Sequence, residues 1–158
     1  MGLDMYLERR RLISSNYEQG GSSYDVKHNP LIRTVEITSV GYWRKKYELD
    51  NYISEIAQEA EYSNCVDIYI DETMCENIVN KAKDRIKELT QEIANLQKRL
   101  EDKRLSPNSK LTYDIKCKIG DAEWELNGWE DAKEVFQKAY EDYNQNYKTV
   151  DYYFHRWW

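Results

Sequence analysis

The chain has 158 residues, the size of one domain, with 41% hydrophobic and 33% charged residues. Its 14 Tyr and 5 Trp argue against a disordered chain, and no stretch approaches the roughly 18 apolar residues that a membrane span requires. A formal net charge of −6, from 23 Lys+Arg and 29 Asp+Glu, disfavours direct nucleic-acid binding.

Read from the first residue, Leu3, Met5 and Leu7 alternate with Asp4, Tyr6 and Glu8, the period of two that marks a strand. Arg9-Arg10-Arg11 is expected to end it. Residues 14–30 carry Ser, Gly and Asn29-Pro30 and read as a long loop. A second strand, rich in β-branched residues, is expected from Ile32 to Val40 and closed by Gly41. Leu49, Ile53, Ile56 and Ala60 then recur at helical spacing, which predicts an amphipathic helix over 43–61. Ser63-Asn64 breaks it. Cys65 to Ile70 is a short strand, and Asp71 is placed to cap the helix that follows.

Ala82, Ile86, Leu89, Ile93, Leu96 and Leu100 are spaced four, three, four, three and four, an a/d seam within a helix expected over 72–104. Ser106-Pro107 reads as the start of the next helix. Along it Leu111, Ile115, Ile119, Ala122, Leu126, Trp129, Phe136, Tyr140 and Tyr143 fall at helical spacings. Residues 81–104 hold eight Lys/Arg against five Asp/Glu, net +3, whereas 107–146 hold five against nine, net −4. Opposite charge and a short connection predict an antiparallel, coiled-coil-like hairpin over 72–146. Leu111, Tyr113, Ile115, Cys117 and Ile119 also alternate, so a strand over 111–119 competes with the helix. Gly120 and Gly128 each cost a continuous helix about 1 kcal/mol. The tail from Tyr147 to Trp158 alternates again and reads as a strand, whose adjacent Trp157 and Trp158 must face opposite ways. The expected class is α+β: a single domain, 1–158, with a small antiparallel-type sheet, one packing helix and the projecting hairpin.

The segments Met1-Gly2-Leu3-Asp4-Met5-Tyr6-Leu7 and Val40-Gly41-Tyr42-Trp43-Arg44-Lys45 resemble a family of small uncharacterised phage and bacterial proteins. Asn64-Cys65 leading into a Tyr-containing strand, and the aromatic strand ending in Trp158, are similar too. The hairpin between about Ile86 and Ile119 departs from the family pattern. The resemblance implies a phage or prophage context and a location in the host cytoplasm; it implies no activity.

Motifs for chemistry are sparse. There is no GxSxG elbow, GxxxxGK[ST] loop or GxGxxG, and Cys65, Cys75 and Cys117 have neither CxxC spacing nor a nearby histidine. The cysteines read as reduced thiols. No cofactor is expected, and a metal would need Asp4, His28, Asp67 and His155 to converge from distant segments. Asp4, a charge between apolar strand residues, has Arg44 as a natural partner. The pair reads as a structural salt bridge or hydrogen-bond anchor; the functional alternative is the floor of a polar pocket, formed together with Tyr6 and the C-terminal Tyr153, His155 and Trp158. Tyr42-Trp43-Arg44-Lys45-Lys46 mixes rings and cations in the manner of a site that stacks a base and neutralises phosphate. If Arg9 to Arg11 met it, a local basic site would result; the competing reading packs Trp43 in the core and leaves Arg44, Lys45 and Lys46 exposed at the start of a helix. Residues 61–80, with Glu61, Asp67, Asp71, Glu72 and Glu76, form an acidic edge.

The reading that follows is a non-enzymatic interaction protein that binds a host protein, such as a component of CRISPR or another antiphage defence, and inhibits it. A small-ligand binder that sequesters a nucleotide-like molecule through Trp43, Arg44 and Lys45 is the alternative. A homodimer through the hairpin seam is a further use of that surface.

Overall fold

The computed structural model describes residues 2–15, 33–58, 67–101, 106, 109–146 and 149–157. Its elements in chain order are β1 (Asp4–Ser15), β2 (Arg33–Arg44), α1 (Tyr47–Ile56), β3 (Asp67–Ile70), α2 (Glu72–Leu100), α3 (Lys110–Asn146) and β4 (Val150–Trp157). All strand pairs are antiparallel, in the order β2-β1-β4-β3, so the class is α+β. Strand alternation sends one face of this sheet into the core. Leu3, Met5, Leu7, Trp43, Ile68, Val150 and Phe154 are buried there, in one apolar cluster with Ile53, Ile78, Ala132 and Phe136 of the helices. Burying each large apolar side chain contributes about 1.5–3 kcal/mol.

β1 does not stop at the three arginines but continues to Ser15, against Arg33 of β2. Each of the first two arginines has a carboxylate: Arg9 Nε donates to Asp142 at 2.6 Å, and Arg10 Nη2 donates to Asp67 at 2.9 Å. Charge compensated on both faces is compatible with a strand. β2 likewise runs past Gly41 to Arg44. Leu7 pairs with Gly41 and Glu8 with Ser39, so Val40 is the extra residue of a bulge. The helix expected from residue 43 therefore begins only at Tyr47. The chain is still held to the sheet at the corner, where the Lys45 N–H donates to the Leu3 carbonyl at 2.7 Å, and Lys45 turns it with φ 57°. The helix expected over 43–61 also ends earlier, at Ile56, where Ala57 closes it and Gln58 turns the chain with φ 55°. The expected loop residues 16–30, the start of the second strand at Ile32, residues 59–61, the Ser63-Asn64 break, Cys65, residues 102–104, Pro107, Tyr147 and Trp158 lie outside the described residues.

α2 begins where Asp71 is placed to cap it: the Asp71 carboxylate accepts from the Met74 N–H at 2.7 Å. α2 and α3 pack together along their lengths, ~44 and ~56 Å at 1.5 Å per residue. Arg99 lines a groove with Ile115, and Ile86 lines another with Lys133, so the two helices run in opposite directions. Of the expected seam, Ala82, Leu89, Ile93 and Leu96 are buried, and Ile86 is packed against the core from its edge. Residues 111–119 are helix, not strand. At the far end of α3, the Tyr143 hydroxyl donates to the Ile70 carbonyl at 2.6 Å and accepts from the Tyr152 N–H at 3.1 Å. Asp142 beside it accepts from Arg9, Tyr152 and Asn146; burial opposes its charge, but these donors outweigh it and lower its pKa.

The two mid-helix glycines of α3 differ in kind. A Cβ on Gly128 would lie 2.6 Å from Lys46 Cε, because the buried Lys46 stem crosses the helix there and its ammonium donates to the Trp124 carbonyl. A Cβ on Gly120 would meet nothing within 4 Å. Gly120→Ala is therefore expected to stabilise the fold by about 0.5–1 kcal/mol, and Gly128→Ala to destabilise it. Urea titrations at low protein concentration would show the opposite signs. Cys75 gives a further check. Burial pushes its thiol up to about 12, whereas Cys117 is exposed. In a C65S background, one thiol should react with Ellman's reagent at pH 8 and the second only on unfolding. Two fast thiols in the folded protein would contradict the packing of α2 on the sheet.

Candidate binding face

The same alternation that buries Met5 and Phe154 turns the residues between them outward. The outer face of the sheet carries Asp4, Tyr6, Glu8 and Arg10 on β1, Tyr42 and Arg44 on β2, Asp67 and Tyr69 on β3, and Tyr153, His155 and Trp157 on β4. Register makes them neighbours. Asp4 is opposite Arg44 on one side and Trp157 on the other; Tyr6 lies between Tyr42 and His155. Asp4, Tyr6, Glu8, His155 and Trp157 line an open groove of about 510 Å³.

Two polar clusters organise this face. At one end the Tyr42 hydroxyl donates to Asp4 Oδ1 at 2.8 Å, Arg44 Nε lies 3.7 Å from the same oxygen, and the rings of Tyr6 and Tyr42 are 5.1 Å apart. The hydrogen bond to Asp4, with a smaller contribution from desolvation, raises the Tyr42 pKa. At the other end His155 sits between two carboxylates, with Nδ1 2.7 Å from Asp67 Oδ1 and Nε2 3.1 Å from Glu8 Oε2. Arg10 joins both carboxylates, at 2.9 and 3.1 Å, and its guanidinium covers the Tyr153 ring at 4.0 Å. Tyr153 in turn meets Tyr69 edge-on. The cluster links β1, β4 and β3 across the face, with the Arg10 guanidinium bridging Glu8 and Asp67. Among the described residues no group of three or more His, Cys, Asp and Glu is disposed to hold a metal ion.

Of the residues singled out in the sequence, Asp4, Tyr6, Tyr42, Arg44, Tyr153 and His155 come together here. Trp43 does not. It faces the core, 3% exposed, with its ring stacked on Phe136 at 5.7 Å. Lys45 is exposed at the corner after β2, and Lys46 is buried with its ammonium 3.9 Å from the centre of the Trp124 ring. The aromatic and basic run at 42–46 is thus split between two faces and is not one site. Nor does it join the arginine triplet: Arg10 pairs with Ile37, six residues or ~20 Å along the strand from Asp4, and Arg9 is engaged by Asp142. His28 and Trp158 lie outside the described residues. Of the acidic edge, Asp67 is engaged in the His155 cluster and Asp71 caps α2, Glu72 and Glu76 are exposed, and Glu61 lies outside the described residues.

Comparisons with protein-family models, with curated proteins and with solved structures found no match. Function is therefore argued from the face itself. Arg10 and Asp67, weighed in the sequence within a basic triplet and as a metal or acidic-edge residue, belong to it, and so do Glu8, Tyr69 and Trp157, which sequence reasoning did not single out as site residues. Their signal was the period of two: Glu8 stands four residues from Asp4, Tyr69 two from Asp67 and Trp157 four from Tyr153.

Proposed function

We propose that this chain is a non-enzymatic interaction protein that docks a partner protein on the outer face of its sheet. The observation that carries the reading is the concentration of exposed large side chains there. Val35, Ile37, Tyr42, Tyr69 and Trp157 are 44–60% exposed on the one sheet face that no described helix covers. Exposed aromatic and apolar side chains interleaved with Asp4, Arg44 and His155 have the composition of a protein interface. On this reading α2 and α3 form an antiparallel, coiled-coil-like hairpin that supports the sheet from behind. The resemblance of the MGLDMYL and VGYWRK segments makes the partner a host protein, with a component of CRISPR or another antiphage defence as the leading class. The nucleotide-like ligand is the weaker reading, because Trp43, its stacking ring, is buried and the groove presents Asp4 and Glu8, which repel phosphate.

A photo-cross-linking residue placed at Trp157 or Tyr42, and as control at Lys138, tests the docking face in host cells. Adducts to one host protein are expected from the first two positions and not from the third. Purified, that protein should bind Trp157→Ala/Tyr69→Ala more weakly by about 30-fold, the loss expected for interface anchors. Adducts from Lys138 alone, or unchanged affinity, would move the interface off the sheet.

A further inference from the structure

Tyr113, Cys117, Gly120 and Trp124 of α3 are spaced four, three and four and so share one helical face. That face is distinct from the one bearing the buried Thr112, Ile115, Ala122 and Trp129. Tyr113 is 68% and Trp124 51% exposed, and Cys117 is exposed. Between these rings Gly120 forms a notch, and no contact among the described residues calls for a glycine there. Charge is divided at the same point. Residues 110–118 carry Lys110, Lys116 and Lys118 against Asp114, whereas 121–131 carry Asp121, Glu123, Glu125, Glu130 and Asp131 with no Lys or Arg.

A helix that is basic before its notch and acidic after it is complementary to itself run backwards. We propose that this chain self-associates through α3, two copies crossing antiparallel about a two-fold axis at Gly120. Lys116 and Glu123 lie on the same flank of the stripe, four residues before Gly120 and three after it. The two-fold therefore sets Lys116 of each copy against Glu123 of the other, and Trp124 of each over Cys117 of the other. Lys116 and Glu123 are both exposed, and neither has an ion-pair partner among the described residues. Glycine at the crossing point lets the two backbones approach closely. An unrelated partner helix has no reason to mirror the charge about this residue; an isologous contact requires it. The inference is independent of the sheet-face reading, since it uses none of those residues.

Sedimentation equilibrium of the full chain over a wide concentration range, at low salt, tests it. A reversible dimer is expected, weakened about tenfold or more by Lys116→Glu or by Glu123→Lys alone. The double variant K116E/E123K should restore it, and Gly120→Gln should abolish it. All these positions are exposed, and far-UV circular dichroism would verify that each variant keeps its helices. A monomer at every concentration overturns the proposal. So does a dimer indifferent to the single reversals or to Gly120→Gln, or a double variant that fails to recover.

Discussion

Arg156→Met is expected to destabilise the protein by about 3–5 kcal/mol at neutral pH, because it strands a buried carboxylate. Arg156 stands on the inward side of β4, 1% exposed, with Nη1 3.3 Å from Asp50 Oδ1, and Asp50 is 3% exposed. Arg156 also donates to Ser54 Oγ at 2.6 Å, while the Ser54 hydroxyl donates to the Asp50 carbonyl at 2.9 Å. Burial raises the Asp50 pKa, and Arg156 works against that rise. Removing the arginine leaves burial unopposed.

The sign of the pH dependence follows. A carboxylate whose folded pKa lies above its unfolded value binds more protons folded than unfolded, so stability falls as pH rises between the two. The Arg156→Met deficit should therefore be largest near pH 7 and shrink as pH falls toward about 4, the unfolded carboxylate value. Asp142, whose folded pKa is lowered, acts in the opposite sense: its contribution is complete above about pH 4 and is lost below it. Urea unfolding at pH 7 and pH 5 separates the two. Asp50→Leu/Arg156→Met should recover most of the loss, since an apolar pair of similar volume replaces an ion pair at little cost. A deficit that does not change with pH would show that lost packing, and not the stranded charge, is its source.

Trp43→Ala should cost a comparable amount, about 3–5 kcal/mol, whereas Tyr42→Ala one residue away should cost only about 0.5 kcal/mol. The indole of Trp43 lies between Phe136 of α3 and Phe154 of β4, at ring separations of 5.7 and 6.4 Å. It also explains Gly41, two residues earlier on the same strand: a Cβ there would approach the Trp43 ring to 2.5 Å and Val135 to 3.1 Å. Tyr42 points outward, 52% exposed, and gives its hydroxyl to Asp4. The Val40–Lys46 segment is thus a structural joint on one side, where Trp43 and Lys46 lock the sheet and the corner onto α3, and part of the outer face on the other. Equal losses for the two variants, measured as shifts in urea midpoint, would contradict this division.

The elements whose pattern has one solution were legible. The seam of α2, four of whose six residues are buried, the cap at Asp71 and the alternation of Met5, Leu7, Val150 and Phe154 each specify a local structure and a buried side, and the structure has them. Legibility failed where one pattern suits two structures, or where a charge looks like a stop signal. Leu111, Ile115 and Ile119 are four apart and also an even number apart, so they fit a helix stripe and a strand face alike; packing of α3 on α2 decided for the helix. Arg9 to Arg11 resembled an end because their partners Asp142 and Asp67 are 133 and 57 residues away in the chain.

The candidate site shows the same limit. Alternation alone requires Tyr42 and Trp43 to face opposite ways, yet it is silent on which one meets solvent. That choice was made by the pairing of Met5 with Trp43 and by the bulge at Val40, which resets the faces of β2 beyond it.

By itself, then, the sequence determined most of the elements, their order, and the separation of each strand into an apolar and a polar side, because these depend on periodicities within a few residues; the helix over 111–119 was left to packing. Only the tertiary structure decided which polar sides lie together. His155 meets Glu8 and Asp67, and Asp4 meets Tyr42 and Arg44, through strand register between segments far apart in the chain. Register is set by the shared core on the opposite face, and a shift of one residue would have exchanged every inward side chain for an outward one.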